Sequence, residues 1–134
     1  MANKNQVAAE TAGAGGGPAT EPRVVILNAM PLNALPRKHI RLEAIPVAPK
    51  EFVEWTKMMV ERGRRVVHFI RHVSTIQALR NAGVPISETP ETGLYQYQEG
   101  DVLAIVTLKN PVRGQQEQNI ASLDELAFWL VWVT

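Results

Sequence analysis

One short segment of this chain is well equipped for chemistry: Arg71-His72-Val73-Ser74-Thr75. It stands between an apolar β-branched run and a helical pattern. At such a junction the first backbone N–H groups lack partners within the helix, and the helix dipole is positive. A phosphate placed there accepts from backbone N–H groups and from the Ser74 and Thr75 hydroxyls. A histidine beside it gives or takes a proton near neutral pH. The same residues have a plainer use, Ser74 as a helix cap and His72 as a surface loop residue. Spacing alone leaves both uses open.

Other candidates are weaker. His68 and His72 are four apart, a zinc-pair spacing only on a helix. Here His68 falls in a strand pattern and no third ligand follows, so no metal site is expected. His68 reads as a strand residue with a satisfied hydrogen bond, and His39 is isolated. Arg62, Arg64 and Arg65 suit the positive charge wanted at a helix C-terminus. Arg113 sits in a Pro/Gly loop after a strand pattern, where its guanidinium could clamp a phosphate. Glu117 follows and could act as a base or hold Arg113. Trp55, Trp129 and Trp132 read as core. No Gly-x-Ser-x-Gly elbow, Walker loop or zinc motif occurs.

The elements that must carry these residues follow from pattern. Residues 1–22 are rich in Ala, Gly, Thr and Glu and read as a disordered tail. The GAGGG run lacks a strand before it, and Pro18 and Pro22 follow, so a linker is expected rather than a phosphate loop. The folded domain spans 23–134. It opens with the buried-strand run RVVILN, then a turn or short helix closed by Pro36. HIRLEAIPV alternates as a half-buried strand. A helix starts at Pro49, carries Phe52, Trp55, Met58 and Met59 on one face, and stops at Gly63. RRVVHFI is a strand. Ser74 would cap a second helix with Ile76, Leu79 and Ala82 buried. Residues 94–98 and 102–109 form a hairpin about a Glu99-Gly100-Asp101 turn. SLDE at 122–125 opens a single capped turn, and FWLVWV closes the chain as a strand buried on both faces. Alternating strands and helices predict a single α/β domain: a mixed sheet of about five to six strands flanked by helices.

Composition narrows the function. The chain has 134 residues, 46% hydrophobic, with no cysteine. Disulfides, thiolate metal sites and cysteine nucleophiles are excluded. The longest apolar runs, VVIL and FWLVWV, are too short to span a bilayer, and the N-terminus lacks a signal-peptide core. A cytoplasmic location is expected. Fourteen basic residues against thirteen acidic ones argue against a duplex-DNA or other general polyanion binder. A single small anionic ligand remains compatible.

LNAMPLNAL, IRHVSTIQAL, a hairpin with a Gly-Asp turn, and an apolar C-terminal strand after LDEL stand in that order. Over residues 24–134 this resembles the viral anti-CRISPR ring nucleases of type III systems. His-x-Ser-Thr is the most specific part, and the asparagine-rich opening is next. The resemblance implies a small α/β homodimer in a prokaryotic host, degrading cyclic tetra-adenylate, the second messenger of type III CRISPR complexes. It implies His72 as general acid, and Ser74, Thr75, Asn28 and Asn33 as substrate-binding, with Arg71 beside them. The nucleophile would be the substrate's own 2′-hydroxyl, leaving a 2′,3′-cyclic phosphate without metal or cofactor. A symmetric dimer suits a symmetric ring. Three positions depart from the family: Pro31 replaces a serine, no arginine stands at Thr92 or Gly93, and Gln116 occupies the place three residues after Arg113, with Glu117 one further. Arg113 and Glu117 are the remaining catalytic expectations. The departures keep a cyclic-nucleotide sponge or regulatory module without turnover as the alternative. A protein-interaction domain of a mobile element is the third.

Overall fold

The computed structural model describes residues 22–110, residue 120 and residues 122–134. The tail expected over 1–22 falls outside them apart from Pro22. The described residues form five strands: β1 (Arg23–Leu27), β2 (Leu42–Val47), β3 (Arg65–His68), β4 (Val102–Leu108) and β5 (Leu126–Val133). They make one sheet in the order β2-β5-β4-β1-β3. β1 runs parallel to β3 and β4, while β5 runs antiparallel to β4 and β2. Two helices, α1 (Pro49–Glu61) and α2 (Val73–Asn81), flank it. This is the mixed α/β sheet that the pattern predicts.

β1 is buried along its whole length because β3 and β4 cover its edges and both faces are packed. That is why RVVIL reads as a continuous apolar run rather than an alternating one. Val24 and Ile26 face one way with Ala104, Val106, Phe128 and Leu130, under Phe52, Val53, Ile76 and Leu79 of the helices. Val25 and Leu27 face the other way with Leu103, Ile105 and Val131. That second face is packed by Leu35 and Tyr95, with Met30, Ile40 and Tyr97 partly buried beside them. The cover thins towards β2, where Leu42 is 43% and Trp129 39% exposed.

Pro49 opens α1, and the Glu51 side chain accepts the Ala48 N–H at 3.0 Å. Gly63 ends the turn beyond it with φ +86°, a conformation that glycine adopts without Cβ strain. α1 buries Phe52, Val53, Thr56 and Met59. The expected stripe is thus rotated: Trp55 is half-buried and Met58 exposed. Spacings of one, four and seven from Phe52 keep one face on the sheet, where Phe52 and Phe128 rings meet at 4.5 Å.

Four further expectations are corrected. Residues 94–98 form no strand. Both edges of β4 are already taken, by β1 and β5, so no ladder remains for a hairpin partner. The segment instead lays Tyr95 on the sheet face. β2 is an edge strand and largely exposed, not half-buried. Trp129 is partly exposed where FWLVWV was expected to be buried on both faces. α2 begins at Val73, with His72 rather than Ser74 at the N-cap, and Ala82 is exposed where Ala78 is buried.

Candidate functional site

Because β1, β3 and β4 run parallel, their C-terminal ends share one edge of the sheet. Open α/β sheets gather ligands outside those ends. Asn28 follows β1 there, the crossing 69–72 follows β3, and Lys109 follows β4. β1 lies between the two strands that α2 connects.

His68 ends β3 and is 2% exposed. Its Nε2 lies 2.9 Å from the Ser87 carbonyl, which only accepts, so Nε2 carries the proton. Its Nδ1 accepts the Ile70 N–H at 3.3 Å. One neutral ring therefore ties the 69–72 crossing to the segment after α2. The Glu91 N–H adds a second tie, to the His68 carbonyl at 2.8 Å. This agrees with the structural role expected for His68 and fixes where His72 begins.

His72 is half-buried at the N-cap of α2. Its Nδ1 lies 3.1 Å from Ser74 Oγ and 3.3 Å from Thr75 Oγ1. Ser74 Oγ also accepts the Ile120 N–H at 2.9 Å. Three of the expected site residues are thus brought together around one imidazole. The first N–H groups of α2 lie at the same place and supply anion-binding capacity.

Arg71 is exposed, and its Nη2 donates to the Gly93 carbonyl at 3.2 Å. Asn28 shares the edge and is exposed. It opens onto an apolar groove of about 480 Å³ with Met30, Leu42, Ile105 and Trp129. Asn33 is exposed on the single-turn helix Leu32–Ala34, beyond β1. Arg113 and Glu117 lie outside the described residues. Sequence reasoning missed Ser87, Gly93 and Ile120, whose backbone groups hold His68, Arg71 and Ser74 respectively. Backbone partners leave no side-chain signature to find.

A second polar cluster stands at the opposite edge. Asp101, 3% exposed, accepts from Arg23 Nε at 3.1 Å and Nη2 at 2.8 Å. It also accepts from the Tyr95 hydroxyl at 2.6 Å and the Gln98 N–H at 3.0 Å. Burial, reinforced by the bond to the Asp101 carboxylate, holds the Tyr95 phenol far above its usual range. The cluster anchors residues 95–101.

Among the described residues no group of three or more His, Asp or Glu side chains could hold a metal ion. None of their helices is long and apolar enough to cross a membrane. No family model matches the sequence, and no curated protein matches it. Among solved structures the chain is similar to B116 of Sulfolobus turreted icosahedral virus. The TM-score is 0.63 at 17% identity, over 82% of this chain and 98% of the viral protein. The α/β fold of this chain is therefore one that a viral protein shares over nearly its whole length.

Proposed function

We propose that this protein is a ring nuclease that opens cyclic oligoadenylate, cyclic tetra-adenylate first, and so shuts down type III CRISPR signalling. The observation that carries the proposal is His72 on a helix N-terminus at the carboxyl edge of the parallel strands, its ring held by Ser74 and Thr75. The fold shared with a viral protein supports it.

In this mechanism the substrate's ribose 2′-oxygen bonds to the adjacent phosphorus while the bond to the 5′ oxygen breaks. His72 delivers a proton to that leaving oxygen, and the 2′-hydroxyl proton passes to a base, the role assigned to Glu117. The products carry a 2′,3′-cyclic phosphate and a 5′-hydroxyl. Backbone N–H groups of the first turn of α2 face the phosphate, with Arg113 stabilising its added charge. The chemistry asks for no metal and no cofactor. The resemblance seeks an arginine near Thr92 or Gly93, and Arg71 brings its guanidinium to the Gly93 carbonyl. Asn28 and Asn33 would contact the ring from the turn after β1. A homodimer offers two identical half-sites to a symmetric ring. The open apolar face around Leu42 and Trp129 suits a second copy.

A second reading, a sponge that binds the ring without turnover, draws on Pro31 and Gln116, where the resemblance expects serine and glutamate. His72→Ala separates the two. The ring-nuclease reading expects unchanged affinity for cyclic tetra-adenylate and a cleavage rate lower by about 10²–10⁴-fold. Equal rates for variant and parent would remove His72 from the chemistry. Tight binding with no cleavage by the parent would establish the sponge.

A further inference from the structure

We infer that Val73, Leu94 and Leu32 form an apolar rim around the His72 site that receives the bases of the ring and selects purine over pyrimidine. This rests on the ring-nuclease reading of that site.

Among the described residues, five large apolar side chains, Leu42, Ile45, Met58, Val60 and Trp129, are 37–43% exposed. Three others stand well apart from them: Leu94 at 86%, Leu32 at 67% and Val73 at 63%. Exposed apolar side chains scattered singly are ordinary. These three are not scattered. Val73 is the first residue of α2, directly after His72. Leu32 stands on the single-turn helix in the connection that leaves β1 at the same edge of the sheet. Leu94 is brought there by its neighbours. The Gly93 carbonyl accepts from Arg71 Nη2 at 3.2 Å, and the Tyr95 ring meets the Phe69 ring edge-on at 5.6 Å. Further on, the Tyr97 N–H donates to the Ala34 carbonyl at 3.2 Å. Residues 93–97 therefore run from the crossing that carries His72 to the turn that carries Leu32.

The fold does not ask for apolar residues at positions this exposed, so their use lies elsewhere. The first N–H groups of α2 can meet an anion, and inorganic phosphate would satisfy them with water all around. An apolar rim beside an anion-binding centre matches a ligand with charge in the middle and flat apolar groups outside. A cyclic oligonucleotide is built that way: phosphodiesters join the inner ring, and the bases project outwards from the riboses. A base laid on Leu94 takes an aliphatic side chain and a ring face out of water together. A purine covers more of that surface than a pyrimidine. The rim thus favours adenine by contact area, without reading the edge of the base.

The test measures the apparent affinity of the full-length parent and its variants for cyclic tetra-adenylate and cyclic tetra-uridylate. Affinity is read as KM where the ring is cut and as Kd where it is bound intact. Leu94→Ser should weaken cyclic tetra-adenylate by about tenfold, and Val73→Ser and Leu32→Ser by about fivefold each. Leu94→Met keeps the apolar surface and should stay within about twofold of the parent. Thermal midpoints should not move, because side chains this exposed add little to the core. The parent should favour cyclic tetra-adenylate over cyclic tetra-uridylate by about tenfold or more, and Leu94→Ser should narrow that preference. Unchanged affinity in all three serine variants would overturn the inference and leave ring binding standing. Equal weakening of both rings would also overturn it, since the rim would then act on the backbone that they share. A serine variant that turns a dimeric parent into a monomer in light scattering would make the rim a subunit contact instead. If the parent neither cuts nor binds cyclic tetra-adenylate, the ring-nuclease reading fails, and the rim has no base to receive.

Discussion

Replacing Asp101 by alanine should destabilise the fold by about 3–5 kcal/mol, the usual cost of removing one partner of a buried ion pair. The size follows from what would be left behind. Arg23 is 8% exposed, and two of its N–H groups end on the Asp101 carboxylate. Its guanidinium would keep the Gln96 carbonyl at 3.3 Å and the Tyr95 ring, 5.8 Å from its centre, neither of which carries a compensating charge. Tyr95 and the Gln98 N–H would lose an acceptor as well. Tyr95→Phe removes a single bond to the carboxylate and leaves Asp101 its other donors, so its cost should be about 1.5–3 kcal/mol. Urea denaturation of the parent and both variants measures the difference, the m-value being unchanged if only stability moves. For a domain of this size the Asp101→Ala midpoint in a thermal melt should drop on the order of 10–20 °C. A cost below about 1 kcal/mol would refute the argument, because it would mean that the Arg23 charge finds solvent without Asp101.

Three other outcomes are expected. The Tyr95 proton is held more tightly in the fold than in the unfolded chain, so its stabilising contribution is complete below the unfolded tyrosine value of about 10. Above that pH the unfolded chain ionises first and stability falls; Tyr95→Phe should flatten this slope in denaturation curves taken between pH 9 and about pH 11. His68→Leu leaves the buried Ile70 N–H without an acceptor, and should cost about 1–3 kcal/mol and speed hydrogen exchange at the Ile70 amide. If the face around Trp129 joins two copies, light scattering at micromolar concentration should give a dimer mass for the parent and a monomer mass for a folded Trp129→Glu; a monomeric parent would refute it.

Local features that depend on neighbours in sequence were legible in advance. The continuous apolar run of β1, the Pro49 start and Gly63 stop of α1, and the strand-to-helix position of His72 each rest on a few adjacent residues. His68 was legible as a strand residue because it continues the Val66-Val67 run. Features decided by distant partners were not. Residues 94–98 alternate like a strand, but whether they pair depends on β5 having taken the edge of β4. Ser74 has the residue type and place of a cap, yet its hydroxyl is engaged by Ile120 from across the domain. The Arg23–Asp101 pair joins residues 78 apart, and neither charge signals burial on its own. The rotation of α1 that buries Val53 and Thr56 and exposes Met58 is set by the sheet beneath it, chiefly by Phe128 under Phe52. For the site, the position of His72, Ser74 and Thr75 at one strand-to-helix junction was legible, but the contacts among them were not.

Ring opening is read out by incubating the purified protein with cyclic tetra-adenylate in excess EDTA and resolving the products by liquid chromatography and mass spectrometry. A metal-independent ring nuclease yields linear di-adenylate ending in a 2′,3′-cyclic phosphate, formed at the same rate with and without the chelator. An intact ring, or cleavage only when a divalent metal is restored, would contradict it.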